Sequence, residues 1–258
     1  MLRIATCLIA IFITQFANAA DLVNFDSNEG IKRLERASAK VDFFPLANHF
    51  ESQENKVFCG IASSAIVLNA LRLDNATISK PEDNSVLSQE DRKYLPQGFN
   101  PVFRHYTQHN LLSEKTKSKN EILGKPVTIN DKQVADYGLQ LRQLANLLAA
   151  HGLDVTTRIA DESLKDEIIR KELITNLQTS GDYVLVNYSR DVLSQGKIGH
   201  ISPLGAYDKT SDSFLILDVN PNTAKWVWVN SADLIAAMRT LDSTENRGYV
   251  LVKEGKNL

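Results

Sequence analysis

The run ENKVFCGIASSAIVLNALRL, residues 54 to 73, constrains the fold more than any other segment. At helical period it places Ile61, Ala62, Ala65, Ile66, Val67, Leu68, Leu71 and Leu73 almost all round one axis. A helix apolar on every side belongs inside a domain, so the rest of the chain must wrap it. Gly60, Ala62, Ser63, Ser64 and Ala65 are small, which lets other elements approach its first turns closely. At its head stands Cys59. A free cysteine there is either a small buried apolar group or a nucleophile.

The opening MLRIATCLIAIFITQFANAA has a positive start at Arg3, an apolar run to Phe16 and the small-x-small site Ala17-Asn18-Ala19. Residues 1–19 therefore read as a secretory signal peptide, too short to span a bilayer, with Ala20 as the mature N-terminus. Residues 20–258 form a single domain, destined for the periplasm or the exterior. Cys7, the other of two cysteines, leaves with the peptide. In an oxidising compartment a solitary cysteine points to a reactive thiol or an intermolecular bond, and it excludes both a disulfide scaffold and a multi-cysteine zinc site. A formal charge of −2 gives no basic footprint for nucleic acid, and no later run is apolar enough to cross a membrane.

Residues 26 to 41 read as a short amphipathic helix, and VDFFPLANHF as an extended apolar link to the buried helix. Residues 74 to 130 are polar, with Pro81, Pro96 and Pro101, and read as loops and short helices. Two amphipathic helices follow, in YGLQLRQLANLLAAHG and DESLKDEIIRKELITNLQTSG, each stopped by a glycine. The texture then turns to short β-branched and aromatic runs: YVLVNYS, HISPLGAY, SFLILDV, KWVWV and GYVLVKE, with SADLIAAMRTL as one more helix. KTSD between the second and third runs has hairpin chemistry. Helices first and antiparallel strands later predict an α+β fold.

A cysteine attacks as the thiolate, which a helix N-terminus or an imidazolium favours. Of five histidines, only His200 opens a strand after a glycine, in GKIGHISPLGAY. Asp218 ends the next strand, so the hairpin brings it within reach to orient the His200 ring. Cys59 and His200 are 141 residues apart. A helix-borne cysteine with a histidine roughly 130–150 residues later is similar to the papain arrangement. Gln53, six residues before Cys59, stands where papain-like enzymes keep an oxyanion-hole glutamine.

The stretches EGIKRLERASAKVDFFPLANHFESQENKVFCGIASSAIVLNALRLD and GHISPLGAYDKTSDSFLILDV more closely resemble the catalytic domain of phytochelatin synthases. The likeness covers most of the chain after residue 19 and is weakest between Asp74 and Asn130. It implies a papain-like fold, with a helical lobe carrying the nucleophile and an antiparallel sheet lobe carrying His and Asp. By that resemblance Cys59 is the nucleophile, His200 the general base and acid, Asp218 its orienter and Gln53 the oxyanion donor. Gly199, Asp242 and Arg247 would hold the γ-glutamyl group of glutathione, an anion meeting its ammonium and a guanidinium its carboxylate. The implied activity is γ-glutamylcysteine dipeptidyl transfer from glutathione, with water or a second glutathione as acceptor. No cofactor or catalytic metal is required. Cadmium or zinc would act through thiolate complexes with glutathione. The resemblance leaves room for a homodimer.

Two departures stand out: the cysteine-rich C-terminal region and the extra catalytic-domain cysteines of plant members are absent from this sequence. Short bacterial members look more like glutathione hydrolases than polymer makers. A general cysteine peptidase or amidase with the same triad is the alternative enzyme; an exported thiol or metal-binding protein is the non-enzyme reading, disfavoured by a single thiol. His105 and His109 have an i,i+4 zinc spacing but no evident third ligand, so a solvated face is expected. His49, Trp226 and Trp228 read as packing residues, and SEKTKSKNE as a solvated loop.

Overall fold

The computed structural model describes residues 20–129, 131–222 and 225–256. The expected signal peptide, with Cys7, lies outside them. In chain order the elements are β1 (Val23–Asn24), α1 (Asn28–Arg36), α2 (Phe43–Asn48), α3 (Cys59–Arg72), a 3-10 turn at Asn84–Val86, α4 (Gln89–Arg92), α5 (Lys119–Ile122), β2 (Val127–Ile129), β3 (Lys132–Val134), α6 (Leu141–Ala150), β4 (Leu153–Ile159), α7 (Asp166–Asn176), β5 (Asp182–Ser189), β6 (Gly199–Asp208), β7 (Ser213–Ile216), β8 (Val227–Asn230), α8 (Ser231–Met238) and β9 (Gly248–Glu254).

Seven strands form one antiparallel sheet in the order β1-β8-β7-β6-β5-β9-β4. Helices pack against it on both sides. Ile61 and Leu68 of α3 and Leu144 and Leu148 of α6 share one core with Tyr183, Leu185, Leu215 and Val250. Ile169 and Leu173 of α7 and Leu234 and Met238 of α8 share another with Val184, Val186, Tyr188 and Phe214. Successive residues of β5 thus alternate between the two cores, as the two-residue strand period requires. Each fully buried leucine or isoleucine contributes roughly 1.5–3 kcal/mol.

All residues of α3 except Ala70 and Leu71 are buried, as its all-round apolarity demands. Its small residues serve the close approach to β6: a Cβ on Gly60 would sit 3.1 Å from Leu139 and 3.3 Å from Ile201. Ser63 Oγ donates to the Ile201 carbonyl at 3.2 Å, tying helix to strand. At the other end Arg72 is buried against Glu254 of β9, with 2.8 Å from Nε to the carboxylate.

The structure differs from the sequence expectation at three places. VDFFPLANHF is not an extended link, because Phe43–Asn48 forms a short helix. Pro45 lies in its first turn, where the missing N–H has no helical acceptor to lose. β4 was not expected; its edge position leaves it half-exposed, with a weak apolar signal, and it pairs along its whole length with β9. The sheet also draws its two outer strands, β1 and β4, from the helix-rich part of the chain. Trp228 is fully buried and donates from Nε1 to the Gly30 carbonyl at 3.0 Å, while Trp226 packs edge-on to Phe50.

Candidate active site

Cys59 is the first helical residue of α3, preceded by Phe58 with no side-chain cap. Its sulfur therefore meets the positive end of the helix dipole. His200 is the second residue of β6, and Asp218 follows the end of β7 by two residues. Extending the Leu204↔Ile216 register places Asp218 opposite Ser202, one diagonal step from His200. The imidazole meets the carboxylate there, with 2.9 Å from Nε2 to Oδ1. Its other nitrogen, Nδ1, is left for the Cys59 thiol, which lies close enough for each group to shift the other.

Every member of this trio is buried. Burial alone would push the Cys59 thiol up, but the hydrogen bond and charge of His200, with the backbone N–H groups of Ile201 and Gly60, bring it below its ordinary value. Burial opposes charge on His200 too, yet Asp218 and Cys59 raise its pKa. For Asp218, burial is outweighed by His200, by the Arg190 charge and by the Asn220 N–H, so its carboxyl lies below the usual range. The three directions agree on a thiolate, an imidazolium and a carboxylate in line. Such an assembly is chemically competent for nucleophilic acyl transfer, an imidazolium being able to give a proton to a leaving group and an imidazole to take one from an acceptor.

Sequence reading did not find the groups that hold Asp218. Arg190, just past β5, pairs with Asp218 Oδ2, both side chains at most 1% exposed. Asp218 also accepts from Tyr188 Oη at 3.3 Å and from the Asn220 N–H at 2.8 Å. The Tyr188 ring meets the His200 ring edge-on at 5.7 Å, since the two residues are cross-strand partners. The alternation of YVLVNYS places Tyr188; nothing in the sequence distinguishes a buried Arg190 from an exposed one.

Gln53 is buried, and its N–H donates to the Val219 carbonyl at 2.8 Å, which fixes it beside the strand end that carries Asp218. One hydrogen of its side-chain amide goes to the Asn55 carbonyl at 2.6 Å. Gly199, Asp242 and Arg247 meet in a cavity of about 130 Å³ that Cys59 and His200 also line. There Arg247 pairs with Asp242 at 2.9 Å, donates to the Leu241 carbonyl at 2.8 Å, and Asn187 Nδ2 donates to the second Asp242 oxygen at 3.0 Å. Asn187 and Lys56, both in the cavity wall, were not singled out from sequence. A larger groove of about 600 Å³ runs between α7 and the β4–β9 edge, but no cysteine or histidine is among the residues that line it.

His105 and His109 do not lie on a helix, so their spacing brings no common ligand geometry. His109 pairs with Glu54 at 2.9 Å and His105 faces Asp83 at 4.0 Å. Among the described residues no group of three His, Cys, Asp or Glu side chains is arranged around a metal position, and no helix is long and apolar enough to cross a membrane.

A family model described as phytochelatin synthase matches residues 14–90 and 96–249. The chain is 25% identical over 235 residues to a glutathione gamma-glutamylcysteinyltransferase of Schizosaccharomyces pombe, covering 89% of this chain and 48% of that protein. It is 25% identical over 236 residues to glutathione gamma-glutamylcysteinyltransferase 2 of Arabidopsis thaliana, covering 91% and 44%. The corresponding figures for glutathione gamma-glutamylcysteinyltransferase 3 of Lotus japonicus are 27% over 243 residues, 91% and 43%. The chain thus spans about half the length of the curated relatives it matches.

Proposed function

The chain belongs to the phytochelatin synthase family, and from that premise we propose that it is a papain-like enzyme that loads γ-glutamylcysteine from glutathione onto Cys59. The observation that carries the reading is the shared cavity. Cys59 and His200 line it together with Asp242 and Arg247. The γ-glutamyl end of glutathione bears one ammonium and one carboxylate on the same carbon, and the two side chains offer one opposite charge to each.

In the proposed reaction the Cys59 thiolate attacks the carbonyl of the cysteinyl–glycine bond. The S–C bond forms, and the oxyanion is met by the Cys59 N–H and the second amide hydrogen of Gln53. Imidazolium His200 gives its proton to the glycine nitrogen as the C–N bond breaks, leaving a thioester and free glycine. Neutral His200 then takes a proton from the acceptor while that acceptor attacks the thioester and the S–C bond breaks. Water gives γ-glutamylcysteine; the amine of a second glutathione gives an oligomer. Cadmium or zinc enters this scheme as part of a thiolate complex with the substrate, and the chain works in an exported compartment once residues 1–19 are removed.

Mass spectrometry of the products from glutathione, with and without cadmium, tests the reading. Free glycine with γ-glutamylcysteine, or with (γ-Glu-Cys)n-Gly oligomers, is the expected result. Intact glutathione alongside cleavage of unrelated peptides would overturn it in favour of a general peptidase.

Gly199 supplies a sharper expectation. A Cβ there would lie 2.6 Å from Arg247 Nη2, so Gly199→Ala must push the guanidinium away from Asp242. The loss is one of substrate binding in ground and transition states alike, so KM for glutathione should rise about tenfold, ~1.4 kcal/mol, with kcat little changed. Steady-state kinetics in which kcat falls and KM does not would remove Arg247 from substrate binding.

A further inference from the structure

Four buried oxygens without partners gather at the far end of β5 from the His200 site. Asp42 precedes α2 at the N-cap position but makes no capping hydrogen bond. Its side chain is only 1% exposed, and neither carboxylate oxygen has a hydrogen-bond partner. The chain there is held against the end of α7, where the Val41 N–H donates to the Leu177 carbonyl at 3.2 Å. Asn176, the last residue of α7, is 4% exposed and its Oδ1 is likewise unpartnered. Its amide lies beside Asp182, the first residue of β5, whose Oδ1 is the fourth such atom. The Asp182 charge is close enough to disfavour ionisation of Asp42. Tyr183 and Lys253, the latter across from Asp182 on β9, are the other titratable groups that feel this pair.

A carboxylate as deeply buried as Asp42, with the half-buried Asp182 beside it, is costly unless something compensates it. A single proton shared between the two carboxyls would join two of the four oxygens and leave two orphaned. A cation would offset the charge of both carboxyls. The donor set is oxygen only, two carboxylates and one amide, which suits a hard ion better than zinc or cadmium, with their preference for nitrogen and sulfur. Calcium accepts six to eight oxygens in irregular arrangements, mixing carboxylate, amide and water. Water and ion have a route in, because Asn176 and Asp182 form part of the wall of the open groove between α7 and the β4–β9 edge.

We propose that Asp42, Asp182 and Asn176 form a structural site for a hard divalent cation of the calcium class. It ties the entry to α2, the end of α7 and the start of β5 into one corner. Six residues of extended strand, about 20 Å, separate Asp182 from Tyr188 beside the His200 ring. The ion therefore acts on stability and not on the chemistry of Cys59.

The test is thermal unfolding of the whole chain after stripping with EDTA, followed by calcium titration. Calcium at a hundredfold excess over its Kd should raise Tm by about 5–10 °C. Asp42→Asn should keep or raise the Tm of the stripped protein, since it removes a buried charge, and should lose the calcium response. Equilibrium dialysis of the wild type should find one calcium per chain, a measurement that stands even if the variant does not fold. No bound calcium, or an equal Tm shift in Asp42→Asn and wild type, would overturn the site. A stripped protein that responds to pH but not to calcium would assign the pair a shared proton instead.

Discussion

Cys59→Ala will release no glycine from glutathione above the uncatalysed rate, while its unfolding midpoint stays close to that of the wild type. The two halves of this result separate the thiol's chemistry from its packing. Removing the nucleophile of a hydrolytic triad lowers kcat by on the order of 10⁶, because base and orienter have nothing left to act on. The packing loss is a single sulfur at the edge of α3, which places it among ordinary substitutions of about 1 kcal/mol. The wild-type thiol gives a further check. Its pKa lies below the ordinary value against the pull of burial, because His200 donates to it and carries positive charge. A depressed pKa keeps the sulfur anionic as pH falls, so alkylation by iodoacetamide should stay fast well below the pH at which a free cysteine protonates. In His200→Gln the imidazolium is gone, burial is no longer offset, and the alkylation profile should move to higher pH. Profiles that coincide for both proteins, or that follow a free thiol, would show that the ring does not hold a thiolate.

The legible part of this site was the part whose chemistry and local structure coincide. Cys59 begins a helix whose apolarity forces burial, and His200 begins a strand after Gly199. Asp218 ends the partner strand, so one hairpin register sufficed to join base and carboxylate. Asp242 and Arg247 carried no such signal; the resemblance supplied them, and the fold brings them to the same cavity. Arg190 and Asn187 stayed hidden because a polar residue at a strand end reads as solvent-facing until its neighbours are known. Asp42 stayed hidden because VDFFPLANHF reads as an extended link, with no helix for it to precede. α2 was obscured by Pro45, a helix breaker in most positions and a tolerated residue in the first turn. β4 follows directly on the glycine that stops α6, so its alternation of Leu153, Val155, Thr157 and Ile159 is short and lies between two stronger helical signals.

Arg190→Met should be the most destabilising single change near the site, at about 3–5 kcal/mol, because Cys59, His200 and Asp218 are then left with an uncompensated buried negative charge. In the wild type the four linked charges of the site, Cys59, His200, Asp218 and Arg190, sum to zero. Taking away one cation raises the pKa of every acid around it. Asp218 protonates at a higher pH, the thiolate is harder to hold, and the imidazolium is harder to deprotonate. The bell of kcat/KM against pH should therefore move bodily to the alkaline side. Stability follows the same sign. A carboxyl with a depressed folded pKa stabilises the fold above its unfolded pKa and loses that contribution as pH falls through the folded value. In Arg190→Met the loss should begin at higher pH than in the wild type. Arg190→Lys keeps the charge without the planar fork and should fall between the two. The decisive comparison is the double variant Asp218→Asn/Arg190→Met, in which no buried charge is left unpaired. Urea unfolding should find it more stable than Arg190→Met alone, although its His200 has lost the carboxylate that orients it and its kcat should be lower by about 10⁴. Strictly additive losses in that cycle would mean that Arg190 supports the strand end and not the charge of Asp218.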